Sequence, residues 1–311
     1  MDKQPTIYII GAGAIGKALA VFLQNAGRRV MLLRGTVDDG SIQAQHIHVE
    51  TADGTVQEAA IKTATLSAVD TLTGIIVLAN KSYGNENLAR LIRAKAGTSP
   101  IVLLQNGLGV EKPFIEKDFS GVYRCVLFVT SQSINEKLIR FKPVAVCPVG
   151  IEKGDVATLD WIVQQLHTIS FGFRIEPEIQ NIIWKKAIVN SVFNSICPLL
   201  QTDNGIFYRN ADVLKIGRRV IAECVAVANL KGILLSAVEV EESLLQISRL
   251  SDGQLISTLQ DIQNNRRTEI DTLNVEIVRI AESVGLGDRV NDTRLLGELI
   301  KNFPTASIST P

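Results

Sequence analysis

The sequence predicts an α/β domain with a mostly parallel sheet, followed by an all-α domain. Three observations predict it. A short apolar run, TIYII over residues 6–10, ends abruptly at the glycine-rich GAGAIG of residues 11–16. Strand-sized apolar runs then alternate with helix-sized amphipathic stretches. From about residue 178 onward the pattern is helical almost throughout. The segment RIEPEIQ (174–180), with Pro177, reads as a linker, so residues 1–177 are expected to form one domain and residues 178–311 the other.

The first element is justified by its context. After TIYII and the glycine-rich turn, KALAVFLQNAG is amphipathic, with apolar Ala18, Leu19, Val21, Phe22 and Leu23, and RRVMLLR is a second strand ending at Arg34. Strand, glycine-rich turn, helix and strand within about 30 residues is the setting in which G-x-G-x-x-G marks a dinucleotide site. Gly11 permits the tight turn, Gly13 lets the backbone approach a pyrophosphate, and Gly16 lets helix and strand pack closely. With Ala12, Ala14 and Ile15 between them, these residues open a helix where free N–H groups and the dipole favour an anion. The alternative is a plain strand–helix turn. A Rossmann-type domain follows from the first reading.

The residue closing the second strand selects the cofactor. NAD sites usually place Asp or Glu there, about 20 residues past the glycines, on the ribose 2′-hydroxyl. Here that position holds Arg34, and LLRGT offers no acid before Asp38. A guanidinium fork suits a 2′-phosphate, so NADP, as NADPH, is expected rather than NAD; otherwise Arg34 is a solvated loop residue. The later runs GIIVLAN (74–80) and PIVLLQNG (100–107) flank a helical ENLARLIRAKAG, and end at Lys81 and at Asn106–Gly107. Ligands of open α/β sheets bind beyond the carboxyl ends of strands, which recommends both positions. Against that stand a surface Lys and a turn-forming Asn-Gly. After residue 120 come the strand-like YRCVLFVTSQ and LIRFKPVAVCPVGI, then a helix at WIVQQLHTI.

In the second half, helical periodicity covers residues 178–196, 212–231, 239–249, 258–285 and 292–302; Pro198 closes the first, and Gly232, Gly253 and Gly285 mark breaks or caps. The first contains WKKAIVNSVFN (184–194). Lys186, Asn190 and Asn194 recur there every four residues, a stripe that drifts only about 40° per step. Around them, Ile182, Ile183, Ala187, Ile188, Val189, Val192 and Phe193 belong in a core. Buried carboxamides, and above all a buried ammonium, need partners. The stripe therefore either pairs with protein groups or lines a cleft between the domains. Further on, STLQ places Ser257 where a capping box with Gln260 would start a helix. TEID (268–271) offers Glu269 as partner for a buried Lys or, with Arg266 or Arg267, as half of an exposed ion pair worth little.

Composition narrows the function classes. The 311 residues suffice for two domains, and 46% apolar with 21% charged residues is ordinary for a globular protein. The 32 Lys and Arg balance the 32 Asp and Glu, so no net field points to nucleic acid or an anionic membrane. No apolar run approaches the roughly 18 residues of a membrane span, and MDKQPT runs into the first strand without an apolar leader. A cytoplasmic protein is expected. Cys125, Cys147, Cys197 and Cys224 lie far apart, as reduced, buried thiols would. His46 and His48 lack neighbours that would suggest a metal, so none is expected. The long helices are compatible with a homodimer and equally with a self-contained second domain.

Taken in order, GAGAIG, the strand end at Lys81, QNGLG (105–109), WKKAIVNSVFN and STLQD…RRTEID resemble the ketopantoate reductases (2-dehydropantoate 2-reductases) over about residues 6–300. The combination K-x-x-x-N-x-x-x-N plus TEID is far more specific than any single motif. The resemblance implies a Rossmann-type domain, an all-α C-terminal domain of the 6-phosphogluconate dehydrogenase-like type, and NADPH-dependent reduction of a 2-oxo acid in the cleft. It further implies that Lys186 is the general acid, that Asn190 and Asn194 are substrate-binding amides, and that Glu269 supports the Lys and the substrate. Ser257 would bind the substrate carboxylate, Lys81 and Asn106 would lie around the nicotinamide and substrate, and Arg34 would meet the 2′-phosphate.

That chemistry makes sense of the stripe. Hydride arriving at a ketone carbon leaves an alkoxide that needs a proton and a cation, and one ammonium supplies both. The chain also departs from the family pattern. TEIDTLNV puts Val275 at a position often held by glycine, VNDTRLL puts Val290 and Asp292 where Pro and Asn are usual, and FVTSQSINE lacks an expected glycine. These departures bear on which 2-oxo acid is taken. The expected reaction makes pantoate, for pantothenate and coenzyme A synthesis. The alternatives are a reductase or dehydrogenase of another branched 2-oxo or 2-hydroxy acid, and a non-catalytic NADP-binding sensor.

Overall fold

The computed structural model of the chain describes residues 4–35 and 38–303. The elements run β1 (Thr6–Ile10), α1 (Ala14–Asn25), β2 (Arg29–Arg34), β3 (Ile42–Glu50), β4 (Val56–Thr65), β5 (Gly74–Leu78), α2 (Asn85–Ala96), β6 (Ile101–Leu103), α3 (Lys112–Glu116), β7 (Val122–Cys125), β8 (Val129–Ser133), β9 (Leu138–Pro143), β10 (Cys147–Lys153), α4 (Val156–Leu166) and β11 (Phe173–Ile175). The helical part follows as α5 (Ile179–Leu199), α6 (Ile206–Arg209), α7 (Ala211–Leu230), α8 (Ala237–Leu250), α9 (Ser257–Gln263), α10 (Asn274–Ser283) and α11 (Asn291–Lys301). Two compact units result. One runs to Asn106 and resumes over Val110–Ile179; the other comprises Gly107–Gly109 and the chain from Gln180 onward.

All eleven strands belong to the first unit and form one sheet, in the order β11-β10-β7-β6-β5-β1-β2-β4-β3-β9-β8. Seven of its ten pairings are parallel, and three are antiparallel. Alternate residues of β1 explain why its sequence reads as an unbroken apolar run. Ile7 and Ile9 pack with Leu19 and Phe22 of α1 and Leu159 and Ile162 of α4. Tyr8 and Ile10 pack on the opposite face with Ala89 and Ile92 of α2 and Phe114 of α3. A sheet covered on both faces needs apolar residues at every strand position.

One pair of strands falls outside the elements expected from sequence. β3 and β4 form an antiparallel hairpin in register from Ile42↔Ala64 to Glu50↔Val56, closed by a turn in which Thr51 N donates to Thr55 O. His48 sits directly opposite Glu58 there, with its Nδ1 2.9 Å from Oε2, a cross-strand polar pair.

The second unit is helical, with two differences from the periodicity. Pro198 lies inside the last turn of α5 rather than beyond it. The stretch 258–285 is two helices, α9 and α10, separated by a bend at Asn265, whose φ is +52°, and by a 3-10 turn at Ile270–Thr272. Helix α5 packs through Phe193, whose ring meets Phe207 of α6 edge-on at 5.0 Å. The departures in VNDTRLL have local uses: Val290 is fully buried, and Asp292 pairs with Arg219 of α7 at 2.6 Å. Glu223, also on α7, accepts from the backbone N–H of Asp292 and Thr293 at 3.0 and 2.9 Å, capping α11. Among the described residues no helix is long and apolar enough to cross a membrane.

Candidate active site

The fingerprint turn sits where chain order reverses across the sheet. β1 lies between β2 and β5, and Gly11 N donates to Leu33 O while Ala79 N donates to Ile10 O. Two glycines are there for packing. A Cβ on Gly16 would stand 2.0 Å from Gly11 O, and one on Gly11, whose φ is +117°, would stand 2.4 Å from Asn80 N. Gly13 is different: a Cβ there would meet nothing within 4 Å. It is the extended N-cap of α1, no side chain caps that end, and no acid occupies the first turn of Ala14, Ile15 and Gly16. An uncapped helix N-terminus with open space beside it fits a pyrophosphate. Ala12 and Ile15 are half-buried against the core.

Arg34 closes β2 with its side chain 23% exposed. Its Nη2 donates to Asp39 Oδ1 at 3.3 Å and to Ser41 Oγ, whereas its Nε is buried and has no partner among the described residues. Asp38 turns away, accepting from Ser67 N and Oγ at 2.9 and 2.6 Å. Those bonds hold the Asp38 carboxyl below the usual range. Hydrogen bonds from Ser41, with the Arg34 charge behind them, do the same for Asp39.

Lys81 and Asn106 are both exposed at strand ends. Beneath them lies a polar network that the sequence reading missed. Gln105 and Asn85 form a reciprocal carboxamide pair at 2.7 and 2.8 Å; Gln105 also donates to Asn80 O at 2.9 Å, and Asn85 to Val110 O at 2.8 Å. Arg124, 2% exposed, pairs with Glu111 and donates to Gln105 O. Apart from Gln105, the first residue of QNGLG, nothing in the sequence singles these residues out, because each finds its partner only in the folded chain. Asn80 keeps a buried Oδ1 without a partner among the described residues.

In the second unit the α5 stripe is asymmetric. Lys186 and Asn190 are half-buried, and among the described residues no hydrogen bond engages the Asn190 carboxamide. Asn194 is 3% exposed, and both its polar side-chain atoms are engaged. Its Nδ2 donates to Asn190 O at 2.9 Å, and its Oδ1 accepts from Ser257 Oγ at 3.2 Å and Thr258 N at 3.3 Å. Ser257 therefore opens α9 without forming a capping box: no side chain caps that helix, and Gln260 donates instead to Leu255 O. The structure thus brings Ser257 to the stripe from 63 residues away.

Glu269 is half-buried at the head of the 3-10 turn. Arg266 and Arg267 pair with Asp261 and Asp271, at 3.2 and 3.0 Å. Gly107 explains the position of this turn: its φ is +94°, a Cβ would stand 2.4 Å from Thr272 Oγ1, and Leu108 N donates to Thr272 O at 2.8 Å. The QNG stretch, read as an Asn-Gly turn, is thus also a close-approach site for the segment after TEID. Among the described residues no group of three or more His, Cys, Asp and Glu could hold a metal ion.

An open α/β sheet with an anion-receptive turn at its switch point, joined to a helical unit bearing a candidate proton donor, is the build of a nicotinamide-dependent oxidoreductase. Residues 7–142 match the family described as "Ketopantoate reductase PanE/ApbA", and residues 178–301 match "Ketopantoate reductase PanE/ApbA C terminal". The chain belongs to the ketopantoate reductase family, a family of NADP-dependent oxidoreductases. It is 29% identical over 300 residues to a 2-dehydropantoate 2-reductase of Pyrococcus abyssi, covering 95% of this chain and 96% of that one. Among solved structures it is similar to D-mandelate dehydrogenase with NADH and anilino(oxo)acetate, at TM-score 0.80 and 24% identity over 95% of this chain and 97% of the other. It is also similar to the dimeric ketopantoate reductase from Staphylococcus aureus, at TM-score 0.79 and 20% identity over 95% and 98%.

Proposed function

We propose that the chain reduces 2-dehydropantoate to pantoate with NADPH in a cytoplasmic pantothenate pathway, with residues 1–177 as the cofactor domain and residues 178–311 as the substrate and catalytic domain. The observation that carries this reading is the Ser257–Asn194 hydrogen bond, which joins the hydroxyl proposed for the substrate carboxylate to the polar stripe bearing the proposed acid. NADPH, when bound, supplies the hydride. The backbone of residues 11–16 would receive its pyrophosphate, Arg34 its 2′-phosphate, and Lys81 and Asn106 would contact nicotinamide and substrate. Lys186 would donate its Nζ proton to the developing alkoxide, and the neutral amine left behind would take a proton from solvent before the next turnover. Glu269 would keep that ammonium charged and aimed. Asn190, whose carboxamide makes no hydrogen bond among the described residues, would hold the substrate, and Asn194 would position Ser257 until its single O–H turns from Asn194 Oδ1 to the substrate carboxylate, with Thr258 N remaining on Oδ1. Four buried cysteines, none of them in a disulfide, accord with a reducing compartment.

The test is NADPH oxidation, followed by nicotinamide absorbance with 2-dehydropantoate, for wild type and Lys186→Ala. Turnover should fall by about 10²–10⁴ in the variant while NADPH still binds. A wild type that binds NADPH but oxidises it with no 2-oxo acid would favour the sensor. Turnover that survives the substitution would remove Lys186 from the reaction.

A second reading, another 2-oxo or 2-hydroxy acid, draws support from the similar solved structure of D-mandelate dehydrogenase with NADH and anilino(oxo)acetate. A panel of 2-oxo acids ranked by kcat/KM separates the two. A homodimer is the assembly to test by light scattering, given that the Staphylococcus aureus relative is dimeric.

A further inference from the structure

We propose that Asp39 sets the preference between the phosphorylated and unphosphorylated dinucleotide by competing with the cofactor for the Arg34 guanidinium. This rests on the reading that residues 11–16 and Arg34 receive a nicotinamide dinucleotide. Asp39 is not a strand-end acid of the NAD type, since Arg34 already closes β2. Its carboxylate is instead held from its own side of the loop. Oδ1 accepts from Ser41 N at 3.0 Å and from Ser41 Oγ at 2.5 Å, and the same atom meets Arg34 Nη2 at 3.3 Å. The anion facing Arg34 is thus oriented by Ser41 whether or not Arg34 is there. Ser41 Oγ accepts from the same Nη2.

The guanidinium is only half used. Nη2 has two partners, whereas Nε is buried with none among the described residues. A phosphate binding side-on to the Nε and Nη2 edge would satisfy the orphaned donor in the paired geometry that guanidinium favours. Both N–H groups of Nη2 are engaged, so the phosphate must displace Asp39, the longer of the two contacts, or Ser41, and it brings its charge against a carboxylate that Ser41 keeps in place. An unphosphorylated ribose makes no such demand on Arg34. Asp39 therefore lowers affinity for NADPH and leaves affinity for NADH almost untouched. Asp38, one residue earlier, carries the same charge but is bonded to Ser67, so it repels the phosphate without occupying the fork.

The experiment is a set of binding titrations with NADPH and NADH, by nucleotide fluorescence or calorimetry, without 2-oxo acid. The proteins are wild type, Asp39→Asn, Asp38→Asn, Arg34→Ala, and Arg34→Ala with Asp39→Asn. Asp39→Asn should tighten NADPH by about two- to fivefold, the range set by a partly exposed ion pair, with NADH changed by much less. Asp38→Asn should give a smaller gain, and in the Arg34→Ala background Asp39→Asn should give none.

Each contrary result is decisive. An unchanged or weakened NADPH affinity in Asp39→Asn overturns the inference. So does an equal gain in Asp38→Asn, which would reduce the effect to loop charge, or a gain that persists without Arg34. A loss of NADH affinity in Asp39→Asn would mean that Asp39 binds the ribose itself. If the wild type bound neither nucleotide, the oxidoreductase reading would fall and take this one with it; if NADPH bound and the variants matched wild type, only this one would fall.

Discussion

At the scale of single residues, the three fingerprint glycines make separable predictions. Gly16→Ala places a methyl 2.0 Å from Gly11 O, a backbone atom that cannot swing aside. It should destabilise the fold by about 1–3 kcal/mol through overpacking and weaken NADPH binding together. Gly13→Ala adds its methyl to open space. The thermal midpoint should stay near wild type while NADPH affinity drops, because the methyl occupies ground that the pyrophosphate needs. Equal losses of stability in both variants would contradict this division. Ser257→Ala removes a hydroxyl from Asn194, whose Oδ1 keeps the bond from Thr258 N. Stability should change by less than about 1 kcal/mol, and KM for the 2-oxo acid should rise with NADPH affinity unchanged. GAGAIG, Arg34 and the Lys186–Asn190–Asn194 stripe are legible in sequence because each depends on spacing within one element. Asp39 as the partner of Arg34, and Asn194 as the holder of Ser257, depend on loops and on a contact between distant helices.

At the scale of elements, the legible parts are those whose buried faces repeat with the period of the element. β1 and β5 read as unbroken apolar runs because helices cover both faces, and α1 reads as amphipathic. The β3–β4 hairpin escaped because Gln43, Gln45 and Glu58 are exposed or half-exposed along it, so little of it reads as buried strand, although Asp53-Gly54 marks its turn. The division of 258–285 escaped because Ile262, Ile270, Leu273 and Ile277 keep an apolar rhythm across a break that Asn265 makes by backbone conformation.

The loops leading into α6 and α9 carry a testable clasp. Arg209 grips both carboxylate oxygens of Asp203 at 2.9 Å and also pairs with Asp252, while Gly205 N and Gly253 N donate to Asp203 at 2.7 and 3.2 Å. Arg209 holds the Asp203 carboxyl down to about 2. Since its folded value lies below its ordinary one, the stabilisation is complete above about pH 4 and is lost as pH falls towards about 2. Asp203→Asn should therefore cost about 1 kcal/mol near neutrality, after allowance for the screening of a partly exposed pair. That difference from wild type should shrink to nothing in melts taken between about pH 4 and 2. A difference that grows in acid would assign the clasp the wrong sign.

At the scale of the whole molecule, the four cysteines report on the two units separately. Cys125 and Cys147 are buried in the core between the sheet and helices α1 and α4. Cys197 and Cys224 are buried on α5 and α7, where burial pushes both thiols up to about 12. Those two thiols carry almost no thiolate at neutral pH, and Cys125 and Cys147 are shielded by burial, so a thiol reagent should label none of the four in the native protein and should reach them only through unfolding. In mild denaturant the residues should therefore label in pairs, one pair for each unit. NADPH sharpens the test, because the residues proposed to receive its phosphates, 11–16 and Arg34, all lie in the first unit. At about 100 times its Kd it should stabilise that unit by about 2.7 kcal/mol, slowing labelling of Cys125 and Cys147 by about a hundredfold when opening is fast relative to the reagent. Cys197 and Cys224 should keep their rate. Equal protection of all four would mean that the chain opens as a single cooperative body, and protection of neither pair would remove the dinucleotide from the first unit.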